Sequence, residues 1–304
     1  MHDHSHDHSQ HFDTHNRSFA IAVILNTIFV LVEAVYGVLS GSLALLADAG
    51  HNLSDVMGLI LAWVASWLAS KAATYGKTYG LKKTTILAAL FNALILIAAV
   101  GGITWEAVQR LTNPADIAGL TIVVVAGIGV LINGATMMLF LKGQKGDINI
   151  RGAFLHMAAD TAVSVGVVIS GTILMFTNLT WIDPVVSLVI AAVIFFGTWQ
   201  LLKDSVNLAV DAVPKGIDPS AVHEQLESLP GVQSAHHLHI WALSTTENAL
   251  TVHLVKPDPG SDDQVVSEAA AMLKEHFGIQ HTTIQWERGD GHCPNTGHCA
   301  AQRQ

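Results

Sequence analysis

Charged residues are scarce in this chain: Asp, Glu, Lys and Arg make up 13% of its 304 residues, about half the share found in soluble domains. Lys and Arg number 15 against 24 acidic residues, which excludes a protein that binds nucleic acid through a basic surface. Two cysteines exclude a disulfide-stabilised scaffold. With 51% hydrophobic residues and a mean hydropathy of +0.44, a disordered chain and an ordinary soluble enzyme are also excluded. A membrane protein remains.

The hydrophobic residues are concentrated in six apolar runs between residues 17 and 204. Each run is long enough to cross a hydrocarbon core of about 30 Å as a helix, which takes about 20 residues. Strands are excluded as spans because an open sheet edge would leave unpaired backbone groups in lipid. The sequence therefore predicts an all-α transmembrane domain of six helices, at about 19–39, 42–68, 84–108, 117–141, 152–176 and 181–202.

The distribution of Lys and Arg predicts the orientation of these spans. The connections after spans 2, 4 and 6 carry eight basic residues, Lys71, Lys77, Lys82, Lys83, Lys142, Lys145, Arg151 and Lys203. The opposite connections carry only Arg110. By the positive-inside rule both termini are cytoplasmic. The short connections and the absence of a signal-peptide pattern at the acidic start favour a multi-pass protein of the inner (plasma) membrane.

Two of the apolar runs contain the same pair of ionisable residues. Span 2 has His51 and Asp55, and span 5 has His156 and Asp160, each with His-x-x-x-Asp spacing. Residues four apart share one face of a helix, and charged groups inside a membrane are rare unless they have a function. Two facing helices would bring together two imidazoles and two carboxylates, a complete tetrahedral shell for Zn²⁺. The other interpretation is a pair of hydrogen bonds between neutral His and Asp.

The chemistry of such a site predicts transport coupled to protons. Zn²⁺ binds deprotonated imidazole and carboxylate, so protons and metal compete for the same atoms. If the helices expose the site alternately to the two sides of the membrane, Zn²⁺ is exported in exchange for protons. An intramembrane zinc hydrolase and a membrane zinc sensor remain as alternatives. Four ligands without a His-Glu-x-x-His helix disfavour the hydrolase, and we expect no enzyme activity.

Glu33, Asp48 and Glu106 are further carboxyl groups in the apolar runs. Asp48 precedes His51 by three residues and is interpreted as a residue that orients the ligands or packs the helices. Glu33 and Glu106 lack a repeated partner, so both are interpreted as structural. Cys and Met are absent from the candidate ligands, which disfavours a Cu(I) site.

The ends of the chain are polar. Residues 205–288 predict a cytoplasmic α+β domain with helices at 218–229 and 261–277 and strands at 232–244, 248–256 and 281–287. Residues 1–16 contain six His and three Asp and are expected to be disordered. The tail at 289–304 contains Cys293 and Cys299 and is either an extra ligand cluster or a mobile tail.

Three motifs resemble the cation diffusion facilitator family of metal transporters, in that family's order. They are the segment 41–55, the His156 to Asp160 pair and the segment 236–241, and the resemblance covers about residues 17–288. It implies a homodimeric metal–proton antiporter in the lipid bilayer, with a ferredoxin-like, metallochaperone-like cytoplasmic domain. The pattern of two His and two Asp is similar to the zinc-preferring branch, with Cd²⁺ and Co²⁺ as further candidates.

The resemblance also implies a second zinc site, in the cytoplasmic domain. Matching the family residue by residue suggests His236, His253, His281 and Glu287 as ligands, with zinc as a regulatory ligand. The other interpretation is that these are solvent-facing strand residues. Lys83 and Asp211 match positions that form a charge contact in relatives. One departure is that residues 69–83 contain no Asp or His, so a metal site in that connection is not expected.

Overall fold

The computed structural model describes residues 9–113, 117–141, 148–177, 179–260 and 262–289. The tail cysteines and the first eight residues lie outside this part, as do the side chains of several residues within it, including His156. The chain divides into two compact units. The first comprises Met1–Ile60 and Asn92–Gln200, and the second comprises Leu61–Phe91 and Leu201–Gln304.

The described residues of the region predicted to span the membrane form six long helices: α1 Ser9–Ser40, α2 Leu43–Ala69, α3 Thr84–Thr112, α4 Gly119–Phe140, α5 Ile148–Thr177 and α6 Ile182–Ala209. Among the described residues, α2 to α6 are long and apolar enough to cross a membrane, and α1 contributes a shorter apolar stretch, Asn26–Ser40. Many of their large apolar side chains are exposed, as in helices that face lipid. The predicted helical membrane domain is confirmed.

Two boundaries differ from the expectation. α1 begins at Ser9, so residues 9–16, expected to be disordered, are helical. This segment contains no Pro or Gly, so nothing in it ends a helix that continues from the first span. At the other end of the membrane domain, α6 extends to Ala209, beyond the expected boundary at residue 204.

The start of α2 is held by a carboxylate of α6. Asp183 is fully buried and accepts hydrogen bonds from the Ser42 hydroxyl at 2.5 Å and from the backbone N–H groups of Leu43 at 2.8 Å and Ala44 at 3.3 Å. N–H groups in the first turn of a helix have no partner within the helix. Asp183 supplies that partner, as an N-cap residue does, and so fixes α2 against α6.

Small residues let α4 pack closely against its neighbours. A Cβ atom at Gly171 of α5 would lie 2.8 Å from the Ile122 side chain, and one at Gly129 of α4 would lie 2.6 Å from the Phe29 ring of α1. Both distances are shorter than a real Cβ contact allows. Membrane helices associate through such close contacts because lipid provides no hydrophobic driving force between them.

The second unit contains a small α+β domain that follows the predicted order. It consists of α7 Pro219–Glu227, β1 Ser234–Ala242, β2 Asn248–Val255, α8 Asp262–Phe277 and β3 Ile279–Glu287. The sheet order is β1-β2-β3, with β1 and β2 antiparallel and β2 and β3 parallel. Both helices contribute to one core on one face of the sheet, around Leu226, Leu250, Leu254 and Leu273. The predicted α+β domain is confirmed.

Charged contacts hold the connection between α2 and α3 in this unit. Lys83 forms an ion pair with Asp211, as the resemblance implied, and Lys82 forms one with Glu247. Asp211 has a φ of 62°, a left-handed conformation that favours glycine, directly after α6. The ion pair therefore lies where the chain leaves the last membrane helix.

We expect Asp183→Ala to destabilise the membrane domain. Each buried donor left without an acceptor costs about 1–3 kcal/mol, so the variant should unfold at a clearly lower temperature than the wild type in detergent. Asp204→Ala is the matched control, because Asp204 forms an exposed ion pair with Lys215 and should contribute little. Equal melting of the Asp183 variant and the wild type would contradict the capping role.

The acid stability of the cytoplasmic domain should depend on Asp262. Hydrogen bonds from Arg288, and then from Lys256, hold the pKa of this carboxyl below its usual value. A carboxyl whose pKa falls on folding adds stability above its unfolded pKa, about 3.9, and this stability is lost as pH drops through the folded pKa. Asp262→Asn should therefore flatten the acid side of the stability curve, as followed by denaturant unfolding at a series of pH values. An unchanged acid side would count against this role.

Candidate functional site

Among the described residues, the membrane helices contain one cluster of side chains of the types that ligate metal ions. His51 and Asp55 extend from α2, and Asp160 extends from α5. Nε2 of His51 lies 3.3 Å from Oδ1 of Asp160 and 4.0 Å from Oδ2 of Asp55. One ligand atom from each residue lies within 4.8 Å of the others. Zn–N and Zn–O bonds are about 2 Å long, so a single ion could contact all three after small side-chain adjustments.

His156, the fourth predicted ligand, lies one helical turn before Asp160 on α5. Its side chain is outside the part of the chain that the structure describes, so its coordination stays a prediction. The structure therefore brings together three of the four predicted residues. Because His156 and Asp160 are four residues apart on a continuous helix, the backbone gives both the same face.

Burial differs across this cluster. The Asp160 residue is 1% exposed, whereas the side chains of His51 and Asp55 are 21% and 34% exposed. The cluster therefore has a closed side at Asp160 and a more open side at Asp55. Two carboxylates this close repel each other unless a positive charge lies between them. A protonated His51 or a bound divalent cation can each provide that charge.

A polar network next to the cluster joins α2 to α5. Asp48 is fully buried and accepts a hydrogen bond of 2.9 Å from the Ser164 hydroxyl of α5. Asn52 donates a second hydrogen bond to Asp48, at 3.3 Å. Asp48 thus links the two helices one turn away from His51, in agreement with its interpretation as an orienting or packing residue.

A second cluster lies on the sheet of the cytoplasmic domain, on the face opposite the helices. It consists of His236 on β1, His253 on β2 and Glu287 at the end of β3. The Glu287 carboxylate lies 2.9 Å from Nδ1 of His253 and 3.2 Å from Nε2 of His236. The antiparallel register places the two histidines directly opposite each other. One ligand atom from each residue again lies within 4.8 Å of the others.

His281 does not belong to this cluster within one chain, which corrects the predicted set. In the register of β2 and β3, His281 pairs with Ala249, whereas His253 pairs with Gln285. Four residues along a strand correspond to about 13 Å. His281 instead contacts the Tyr79 ring, with ring centroids 5.4 Å apart. Alternation along a strand indicates which face a residue occupies but not its position along that face.

The structure adds His237 to the surroundings of this cluster. A β-bulge shifts the register between His236 and His239, and His237 has a φ of 51°. Its ring centroid lies 5.0 Å from that of His253 and 5.5 Å from that of His236. Regular alternation would put His236 and His237 on opposite faces. One residue of the sequence indicates this bulge. Leu238 is apolar, and its side chain reaches the core only if the strand bulges before it.

These features define a class: a multi-pass membrane protein with candidate metal clusters in its membrane helices and in an attached α+β domain. Residues 19–208 match the cation efflux transmembrane domain, and residues 214–289 match the cation efflux protein cytoplasmic domain. The chain belongs to the cation efflux family of transporters, as its three motifs indicated.

Similar proteins cover nearly the whole chain. The metal cation efflux system protein CzcD of Cupriavidus metallidurans is 39% identical over 285 residues, 93% of this chain and 89% of the relative. The zinc transporter ZitB of Pectobacterium atrosepticum is 35% identical over 294 residues, 95% of this chain and 92% of the relative. The cadmium, cobalt and zinc/H(+)-K(+) antiporter of Bacillus subtilis is 35% identical over 289 residues, 92% of this chain and 91% of the relative.

One solved structure also matches part of the chain. It is the metal-bound C-terminal domain of the CzcD transporter from Cupriavidus metallidurans, which is 42% identical. The match covers 23% of this chain and 99% of that chain, with a TM-score of 0.22.

We expect Glu287→Gln to weaken metal binding at the cytoplasmic cluster by more than about tenfold, because it removes the charge that both histidines contact. Zinc titration of the full chain in an Asp160→Asn background would measure this cluster with the membrane cluster weakened. His281→Ala is the control and should leave the affinity unchanged. An equal loss of zinc affinity in Glu287→Gln and His281→Ala would show that the set of His236, His253 and Glu287 is wrong.

Proposed function

We propose that this chain exports Zn²⁺ from the cytoplasm in exchange for protons by alternating access. The observation that carries the proposal is the convergence of His51, Asp55 and Asp160 in membrane helices of a cation efflux protein. Imidazole nitrogen and carboxylate oxygen are ligands that Zn²⁺ accepts readily, and His156 completes a set of four. Two ionised Asp residues neutralise the ion, which lowers the cost of moving it through a low-dielectric region.

Competition between metal and protons supplies the coupling. At neutral pH the imidazoles of this site are deprotonated when the metal binds from the cytoplasm. On an acidic far side the imidazoles take up protons and the metal affinity falls. The metal leaves there, and the protonated empty site returns to the cytoplasmic side. The proton gradient therefore drives metal out of the cell.

The donor set and the relatives support zinc, with cadmium and cobalt as further substrates. The membrane cluster offers nitrogen and oxygen but no sulfur, which disfavours soft monovalent copper. The relatives described above are named for zinc, for metal cations in general, and for cadmium, cobalt and zinc. None of these names supports a zinc hydrolase or a zinc sensor.

We further propose that the protein is a homodimer with both termini in the cytoplasm. The positive charge of the connections after spans 2, 4 and 6 supports this orientation. The match to the family's cytoplasmic domain supports dimerisation through that domain. Zinc at the cluster of His236, His253 and Glu287 would then act as a regulatory ligand, provided that its affinity differs between the two transport states.

Flux measurements in vesicles test the proposal. Purified protein reconstituted into liposomes should accumulate Zn²⁺ on the acidic side of an imposed pH gradient. Asp160→Asn should lower this flux by more than about tenfold, because it removes a charge that the site needs to bind the ion.

Glu106→Gln is the matched control for this experiment. Glu106 lies on α3, where it accepts a hydrogen bond of 3.0 Å from Arg110, and it is outside the cluster. The Glu106→Gln variant should show the same zinc flux as the wild type. A zinc flux that does not depend on the pH gradient would contradict the coupling to protons. A zinc flux in Asp160→Asn equal to that of the wild type would contradict the proposed metal site.

A further inference from the structure

A second pair of buried carboxyl groups lies beside the membrane cluster. Glu33 of α1 and Asp48 of α2 are both fully buried, and neither belongs to the proposed ligands. The side-chain amide of Asn52 reaches both groups, donating to Glu33 at 3.4 Å and to Asp48 at 3.3 Å. One amide nitrogen therefore lies within 3.4 Å of a carboxyl oxygen of each group, which places the two groups side by side.

This arrangement favours a proton on the pair. One side-chain amide cannot balance two ionised carboxylates that are both fully buried. Two like charges in one buried site also cannot both stay ionised without compensation. No Lys or Arg occurs between residues 17 and 71 to provide that compensation from α1 or α2, and His51 of α2 already faces two carboxylates, Asp55 and Asp160. The pair is therefore a carboxylic acid next to a carboxylate.

The neighbours of the pair indicate which group holds the proton. Asp48 accepts hydrogen bonds from Ser164 and Asn52, which stabilise its negative charge. Glu33 receives only the longer bond from Asn52, and its buried Oε1 accepts no N–H or O–H group among the described residues. A proton on the Glu33 carboxyl group removes the uncompensated charge that these few contacts leave.

The proton lies close to the candidate metal site. Asp48 precedes His51 by three residues on α2, which places their Cβ atoms about 5–6 Å apart. The titratable groups that act on Asp48 are Glu33, His51 and Asp160. A divalent ion changes the net charge of the cluster from negative to neutral, which lowers the cost of a second negative charge on the pair.

We propose that Glu33 carries an exchangeable proton, shared with Asp48, and releases it when a divalent metal ion binds at His51, Asp55 and Asp160. The O–H bond of the Glu33 carboxyl group breaks, the proton passes to water, and both carboxylates remain ionised beside the metal. When the metal leaves, Glu33 takes up a proton again. Glu33 is thus a proton-binding residue separate from the metal ligands. The metal linkage rests on the function proposed above, whereas the proton on Glu33 does not.

Infrared spectroscopy of the metal-free full chain in lipid bilayers tests the proton directly. The wild type should show the C=O stretch of a protonated carboxyl group that is missing in Glu33→Gln. Glu106→Gln is the matched control and should keep the band. Should Glu33→Gln fail to fold, Glu33→Asp serves instead: it keeps a carboxyl group on a shorter side chain, and the band should shift in frequency. A band that is unchanged in the folded variants would overturn the proposal.

Proton release on metal binding tests the exchange. Zinc added to detergent-solubilised protein should release about one more proton per site from the wild type and from Glu106→Gln than from Glu33→Gln. Equal release from all three proteins that bind zinc would overturn the exchange. Failure of the wild type to bind zinc would instead overturn the proposed function, and the infrared result would still decide whether Glu33 is protonated.

Discussion

The contact between His51 of α2 and Asp160 of α5 is the interaction on which the proposed transport depends. It joins a nitrogen and a buried carboxylate oxygen at 3.3 Å, with a second carboxylate nearby. A cluster of ionisable side chains is stable in a membrane only when its negative charge is balanced by protons or by a metal ion. Because either can supply the positive charge, protons and metal can exchange at this site.

Other features of the fold keep this contact in place. Asp183 fixes the start of α2, and close packing at Gly171 holds α5 against α4. Asp48 and Ser164 then bond the two ligand-bearing helices one turn from the cluster. The cytoplasmic cluster uses the same ligand types on a different support, where β-sheet register rather than helix packing brings His253 and Glu287 together. The chain thus offers metal two environments, one between membrane helices and one on the sheet of the α+β domain.

Much of the fold could be predicted because its signals are local. These signals are the lengths of the apolar runs, the spacing between His51 and Asp55, and the order of helices and strands in the cytoplasmic domain. Each of them depends on residues that are close together along the chain. Predictions were wrong where a long-range feature decided the outcome. His281 has suitable chemistry, but the strand register puts it about 13 Å from the cluster. His237 was missed because a bulge changes the face of a strand without a strong local signal.

The sequence by itself determined the six helices, their lipid-compatible composition and the residue types of both clusters, because hydrophobicity and helical spacing act within one segment. The meeting of His51 and Asp160 could be predicted because the same His-x-x-x-Asp pair occurs in two spans. Only the tertiary structure decided that Glu33 lies beside Asp48 and that Asp183 lies at the start of α2. These pairs are separated by between 15 and 140 residues in sequence. Their meeting depends on how whole helices pack, and periodicity within one helix carries no information about the neighbour it will contact.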